Sequence, residues 1–305
     1  MKPPRPKVVI VIVNWNQPQD TLECLTSLRS VTYPCLEVVV IDNGSRSPSA
    51  RIISRQFPDV PLLRQQKNLG FGGGSNVGIQ WGLARGADQI LLLNNDTVVH
   101  PHFLTSLVAF MHREPTVGIV TPKIYVYDDP HRIWAMGGRI DRNTSRSRHI
   151  HEGEVDEGQF RDPMPCGYAT GCAMLIRGAV FEQIGLLDAD YFYSYEDSDF
   201  SIRARDAGFG VYCVPEARIW HKGAASVQGL RSPSYRYYAT RNRMIFVQKR
   251  GEGIRKVGGV LYIGAKLASY LLYYALARPN VHTLKALLWG ARDGLMGRGG
   301  VSPMD

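Results

Sequence analysis

The chain has 305 residues, 44% hydrophobic and 21% charged, enough for one large or two modest domains with a substantial core. Its 36 lysines and arginines against 27 aspartates and glutamates give a net charge of +9, which favours anionic partners such as phosphates or acidic lipid surfaces. The five cysteines are odd in number and include no CxxC pair, so neither a disulfide framework nor a zinc knuckle is indicated, and a reducing cytoplasm fits best. Residues 1–7 are basic but run straight into an apolar strand with no small-residue cleavage site, so secretion is not expected.

From residue 8 to about residue 120, short apolar runs alternate with helical stretches, the pattern of parallel strands joined by crossover helices in an open α/β sheet. Residues 8–13 are β-branched throughout and predict a central strand buried on both faces, ending at Asn14-Trp15-Asn16. Leu22, Leu25 and Leu28 recur every three residues and predict a helix over 20–30. A second strand over 36–41 ends in the turn-forming Asp42-Asn43-Gly44-Ser45, and a short third covers 61–64. A glycine-rich entry, residues 67–76, then opens a helix reaching Arg85, and a fourth strand over 89–93 ends in Asn94-Asn95-Asp96-Thr97. Ligands of such sheets bind outside the carboxyl ends of the strands, where Asn14, Asp42 and Asp96 all fall.

Residues 128–165 read as a long polar excursion with one strand near 132–136. A strand over 171–177, a helix over 178–184, the acidic turn Glu196-Asp197-Ser198-Asp199, a helix over 198–207 and a strand over 211–214 follow. The end changes character: from Arg241 onward there are eleven basic residues against three acidic ones, so nearly all the net charge lies in the last fifth. Residues 257–277 have the length of a membrane span, yet Lys266 within them fits an interfacial helix or a core helix equally.

Several motifs have both a chemical and a structural explanation. The glycines at 70–74 suit either a nucleotide loop or a tight strand-to-helix turn, and no Lys-Ser/Thr follows as a Walker loop requires. Asp96 beside two amides could join a first shell for Mg2+ or Mn2+, or cap the helix expected over 101–111. Glu196, Asp197 and Asp199 crowd three negative charges into four residues, as a general base, a cation site or an acidic helix N-terminus would. His221 after Ile219-Trp220 suits metal ligation or simple packing. Arg231, Arg236, Arg241 and Arg243, interleaved with Tyr235, Tyr237 and Tyr238, form either a phosphate-gripping strip or a solvated helix face; no nucleic-acid motif accompanies them.

Taken in order, these residues resemble glycosyltransferase family 2, the inverting enzymes of the GT-A fold, especially rhamnosyl- and galactofuranosyltransferase-like members. The likeness covers about residues 7–247. It rests on Val11-Ile12-Val13-Asn14-Trp15-Asn16, Val40-Ile41-Asp42-Asn43-Gly44-Ser45, Asn68-Leu69-Gly70-Phe71-Gly72 through Asn76, Leu93-Asn94-Asn95-Asp96, Thr170-Gly171-Cys172-Ala173, Glu196-Asp197-Ser198-Asp199 and Trp220-His221. The resemblance implies a GT-A type open, mostly parallel sheet flanked by helices. It divides the chain into a catalytic domain over 1–250, with a sugar-nucleotide half over 1–120 and an acceptor half over 121–250, and a basic helical membrane-associating segment over 251–305.

By the same likeness, Val13, Asn14, Asn16 and Asp42 surround the nucleobase and ribose of a sugar nucleotide. The loop from Asn68 through Gly72 to Asn76 closes on the nucleoside, and Asn95 and Asp96 complete the donor side. Asp96 coordinates Mg2+ or Mn2+ with His221 as an additional ligand; the family's Asp-x-Asp begins here with Asn94, one carboxylate fewer. Asp197 is the catalytic base, Gly171, Cys172 and Glu196 border the acceptor, and Arg241 grips a diphosphate. The function implied is inverting transfer of a sugar, from dTDP-rhamnose or a UDP-sugar, to a saccharide on polyprenyl diphosphate at the cytoplasmic face of the plasma membrane, in cell-surface polysaccharide synthesis. A sugar-nucleotide nucleotidyltransferase and a non-catalytic nucleotide-sugar-binding module are the other classes weighed.

Overall fold

The computed structural model describes residues 5–141, 144–223, 232–251 and 253–303. Its centre is a ten-stranded sheet. Strands β1 (Val8–Asn14), β2 (Leu36–Asp42), β3 (Leu62–Arg64) and β4 (Gln89–Asn94) lie parallel in the order β3-β2-β1-β4, so their polar carboxyl ends share one edge. Helices α1 (Pro18–Leu28), α2 (Ser49–Gln56) and α3 (Gly70–Ala84) make the crossovers. Alternation along β1 explains the layering: Val8, Ile10 and Ile12 pack with Leu22, Leu25 and Leu28 of α1, while Val9 and Val11 pack with Ile79 of α3 on the other face.

The glycines of α3 set how closely it sits on the sheet. A Cβ at Gly78 would lie 2.2 Å from Val11 Cγ1, and one at Gly82 would lie 2.7 Å from Ile90 Cδ1. Gly70 adopts φ +75, and a Cβ there would meet the Phe192 carbonyl oxygen at 2.3 Å. The glycine cluster therefore makes a tight turn and a close packing face.

Beyond β4 come β5 (Thr97–Val99), α4 (Phe103–Arg113), β6 (Val117–Val126) and β7 (Asp129–Ala135). Asp96 thus precedes a strand, and His102 occupies the N-cap of α4, which removes the helix-cap explanation for Asp96. A two-stranded hairpin, β8 (Gly138–Asp141) and β9 (Arg146–His149), stands off the main sheet. The short β10 (Met164–Pro165) and then β11 (Ala173–Arg177) follow, β11 lying antiparallel between β4 and β6. Helices α5 (Gly178–Ile184) and α6 (Glu196–Asp206) lead to β12 (Gly210–His221). That last strand is much longer than the expected 211–214 and carries His221 at its end, beside Thr97 of β5.

Three helices close the chain: α7 (Pro233–Arg250), α8 (Gly253–Leu272, continued by a π turn over Tyr273–Ala277) and α9 (Val281–Leu295). The expected division at residue 250 does not describe them. Helix α9 returns onto α7, where Tyr237 donates to Asp293 and Arg241 to the Gly300 carbonyl, so 281–303 belongs with the body of the protein. Helix α8 is different. Lys256–Ala277 is long and apolar enough to cross a membrane, and only 6% of its most apolar window is buried, which removes the core-helix reading.

Candidate active site

The donor-side residues cluster where the parallel strands end. Asn14 and Asp42 are partners in register, and both are fully buried. Asn14 Nδ2 donates to Asp42 Oδ1 at 3.2 Å and to Ser45 Oγ at 3.3 Å, while its Oδ1 accepts from the Thr21 hydroxyl at 3.0 Å. The second Asp42 oxygen, Oδ2, has no hydrogen-bond partner; Arg64 Nε, 3.6 Å away, supplies charge at a distance too long for a bond. A buried acceptor of this kind suits a ligand donor group.

The neighbouring amides shape the crevice. Asn16, at φ 59, accepts the Arg46 and Ser47 N–H groups on its Oδ1. Asn68 Oδ1 accepts from the Gly70 N–H and from Asn43 Nδ2. Asn76 makes both bonds to the backbone of Leu187, and Asn95 donates to the Gln17 carbonyl and the Thr21 hydroxyl. Val13 packs against Gly74, and a Cβ at Gly72 would sit 3.6 Å from Glu196 Cβ, so the α3 entry abuts the acidic helix. Asn16, Asn68, Asn76 and Asn95 thus each tie a loop of this crevice to another part of the protein.

At the end of β4 the structure pairs Asp96 with His221: Nε2 and Oδ1 are 3.1 Å apart. The angle does not make this a hydrogen bond, and both ring nitrogens of His221 are buried without partners. Trp134 stands edge-on to that ring at 4.5 Å. Burial would raise the Asp96 carboxyl, but His221 and the backbone N–H groups of Asp96 and Gly223 outweigh it and hold it below the usual range. A half-buried carboxylate beside a buried imidazole that lacks a hydrogen-bond partner fits a divalent cation. No group of three or more His, Cys, Asp or Glu ligands occurs among the described residues.

Across the crevice stands α6. The register of β11 on β4 pairs Ala173 with Leu93, and the Asn94 N–H bonds the Cys172 carbonyl, which brings Gly171 beside the β4 terminus. The Gly171 N–H donates to Asp197 Oδ2 at 3.0 Å, and the Ser198 N–H donates to Oδ1 at 2.6 Å. Helix α6 begins at Glu196, two residues earlier than expected, so the acidic turn is its first turn. The approach is strained: Phe192, Ser194 and Tyr195 all have positive φ.

The three acids of this turn have different fates. Asp199 is neutralised by Arg203 at 2.9 Å and Arg250 at 2.6 Å and accepts from the Tyr191 hydroxyl, which makes it structural. Glu196 has one buried oxygen without a partner; burial, together with Asp197, pushes its carboxyl up to about 8. Burial also raises Asp197, while its two N–H donors favour the ionised form. Burial thus favours the neutral form of Glu196, whereas Asp197 alone of the two has backbone donors on both oxygens to support a charged form.

Two acceptor-side expectations need correction. Arg241 is 0% exposed, and its guanidinium donates to the carbonyls of Asp190, Tyr191 and Gly300, so it cannot grip a diphosphate. With Asn242, which donates to the carbonyls of Tyr191, Tyr193 and Ser194, it clamps the strained loop before Asp197. The Cys172 side chain is buried in the apolar core and only its backbone borders the crevice. Arg236 stacks on Tyr270 and Arg243 donates to the Tyr195 hydroxyl, so this part of the strip is internal; Arg231 lies outside the described residues.

Sequence reasoning missed Asn43, Asn242, Trp134 and His149. Asn43, next to Asp42 in a turn-forming cluster, carried a local signal, since its side chain ties Asn68 and Gly70 to β2. Trp134 and His149 sit in the polar excursion and carried none; the two rings are 4.4 Å apart, and Trp134 also meets His221.

A parallel nucleotide-binding half continued by antiparallel strands, with an acid-bearing strand end facing an acidic helix, is the architecture of GT-A glycosyltransferases. A mannosyltransferase from Pyrobaculum calidifontis, solved with GDP-Man and Mn2+, superposes with a TM-score of 0.59 at 16% identity, covering 96% of this chain and 88% of that one. Residues 9–196 match glycosyl transferase family 2, and the chain belongs to that family. Among similar proteins, the dTDP-rhamnosyl transferase RfbF of Shigella flexneri is 25% identical over 298 residues, covering 95% of this chain and 96% of its own. The N-acetylglucosaminyl-diphospho-decaprenol L-rhamnosyltransferase of Mycobacterium tuberculosis is 26% identical over 263 residues, covering 80% and 85%.

Proposed function

We propose that this protein transfers a sugar with inversion from a nucleoside diphosphate sugar, dTDP-rhamnose first and UDP-sugars next, to a hydroxyl of a saccharide carried on polyprenyl diphosphate. The observation carrying this reading is Asp197: a half-buried carboxylate with two backbone donors and no ion pair among the described residues, across the crevice from Asp96 and His221. Asp197 accepts the proton of the acceptor hydroxyl as that oxygen attacks the anomeric carbon, and a single displacement inverts the centre. Glu196, protonated beside it, can donate a hydrogen bond to the acceptor. The free Asp42 oxygen and the half-buried Val13 receive the nucleoside. Asp96 and His221 would hold Mg2+ or Mn2+, which supplies charge compensation to the departing diphosphate.

The place of action we assign is the cytoplasmic face of the plasma membrane. Val257, Val260, Leu261, Leu272 and Leu276 are exposed along α8 and its π turn, with Lys256 and Lys266 on the same element, a combination that suits an anionic lipid surface. The assignment of donor and acceptor draws on the two rhamnosyltransferase relatives. A panel of UDP-, dTDP- and GDP-sugars with and without Mn2+ tests it by thermal shift and nucleoside diphosphate release, on wild type and Asp197→Asn. Metal-dependent stabilisation of both proteins by one donor, with release only by wild type, is the expected result. Release of inorganic diphosphate from a nucleoside triphosphate on reaction with a sugar phosphate would instead identify a nucleotidyltransferase, and donor binding without turnover in either protein a binding module.

A further inference from the structure

Outside the crevice, a cavity of about 620 Å³ opens against the β8-β9 hairpin. Arg139, Arg146, Arg148 and His149 line it from the hairpin, and Tyr262 lines it from α8. Arg139 and Arg148 are direct cross-strand partners, so their side chains leave the same face of the ladder as like charges set opposite each other. Such a pair costs stability unless an anion lies between its members. None of the three arginines forms an ion pair with a described residue, whereas Glu154, at the rim, is paired with His151 at 3.0 Å. Asp141, opposite Arg146, leaves the lining with more positive than negative charge.

Location gives this cationic cavity its meaning. The Ser145 carbonyl of the hairpin accepts from the hydroxyl of Tyr195, the residue before Glu196, and that hydroxyl accepts in turn from Arg243, whose guanidinium lies 6.0 Å from the Tyr262 ring. His149, whose Nδ1 is buried without a hydrogen-bond partner, contacts Trp134, which contacts His221. These contacts join the acidic turn, an imidazole, three guanidiniums with no ion pair among the described residues and an exposed apolar helix. The same kinds of part make up an amphiphile of saccharide, diphosphate and hydrocarbon tail.

We propose that the hairpin cavity is the subsite for the acceptor's diphosphate, with Arg139, Arg146 and Arg148 as its cationic ligands and Tyr262 marking the exit of the tail toward α8. Guanidiniums are suited to this because their donor forks match phosphate oxygens two at a time. The inference rests on the lipid-linked acceptor assigned above and adds where its charged centre sits.

The test compares wild type with Arg139→Ala/Arg148→Ala on two acceptors carrying the same saccharide, one on a short polyprenyl diphosphate and one as a phosphate-free alkyl glycoside. Both side chains are exposed and the change relieves a like-charge pair, so the variant is expected to melt no lower than wild type. For the diphosphate acceptor, KM should rise on the order of 10- to 100-fold with kcat nearly unchanged, while donor KM and the alkyl glycoside reaction stay as they were. Equal loss on both acceptors, or no loss on either, overturns the proposal. If charge removal weakens retention on phosphatidylglycerol vesicles but leaves KM for the diphosphate acceptor in detergent unchanged, the arginines contact headgroups and the proposal is likewise overturned. Should wild type transfer to neither acceptor, the transferase reading fails. Titration with inorganic diphosphate at saturating dTDP or UDP then decides the cavity by itself: binding in wild type lost in the variant supports it, and equal binding rejects it.

Discussion

Around the carboxyl ends of the parallel strands, amides bonded to other parts of the protein carry much of the polarity, whereas in the first turn of α6 it is carried by carboxylates. Asn16, Asn68, Asn76 and Asn95 each hold a loop in place without adding charge. Glu196 and Asp197 form no ion pair among the described residues, although Asp199, two positions later, has two arginines. The contrast separates shape from reactivity. Amides fix the walls of a recess, and the carboxylates at the start of α6 are left without a cation among the described residues, the arrangement the proposed base requires.

Removing the reactive carboxylate is the strongest way to break this comparison. Asp197→Asn should lower turnover by about 10²- to 10⁴-fold while metal-dependent donor stabilisation persists in a thermal-shift assay. A variant with more than a tenth of wild-type turnover would move the base elsewhere. Its neighbour should behave in the opposite way: Asp199→Asn leaves two arginines facing a neutral group and should cost about 3–5 kcal/mol of stability, measured by denaturant unfolding, since breaking a buried pair strands its partner.

On the donor side, Asp96→Asn should lower turnover on the order of 100-fold and abolish the Mn2+ dependence of donor binding by calorimetry. Unchanged metal dependence would remove Asp96 from the cation site. Glu196 offers a subtler test through pH. Its folded pKa of about 8 lies above the unfolded value, so the folded protein keeps a proton that the unfolded chain has released. Wild-type stability from this group is therefore complete at acidic pH and falls by about 1.4 kcal/mol per pH unit as pH rises toward 8. Glu196→Gln should melt like wild type near pH 4.5 and above it at pH 8.5; equal melting at both would show that the carboxyl is not buried neutral.

The smallest effect concerns the periphery. Leu261→Glu/Leu272→Glu should release the protein from anionic vesicles at low salt while leaving turnover on a water-soluble acceptor unchanged, because both side chains are exposed on α8. Retention equal to wild type would detach α8 from the membrane reading.

What the sequence by itself determined is the local order: β-branched strands with polar ends, a helix after each, a glycine entry, and an acidic turn followed by Trp220-His221. Those features depend on alternation, helical spacing and turn chemistry, all of which act over a few residues. The tertiary structure decided which of the charged groups are exposed, paired or alone. Arg241 reads like its neighbours in the chain, yet it is buried because the loop at 190–191 and the chain end at Gly300 close over it. Asp197 and Asp199 differ because Arg203, one turn on, and Arg250 from α7 both reach Asp199. Only the Arg203 pair lies within a turn's length of its residue; the burial of Arg241 and the reach of Arg250 leave no local trace. Burial and charge pairing are set largely by elements about 50 to 60 residues apart, and these leave one carboxylate of the turn tied into the scaffold and the other without a cation among the described residues.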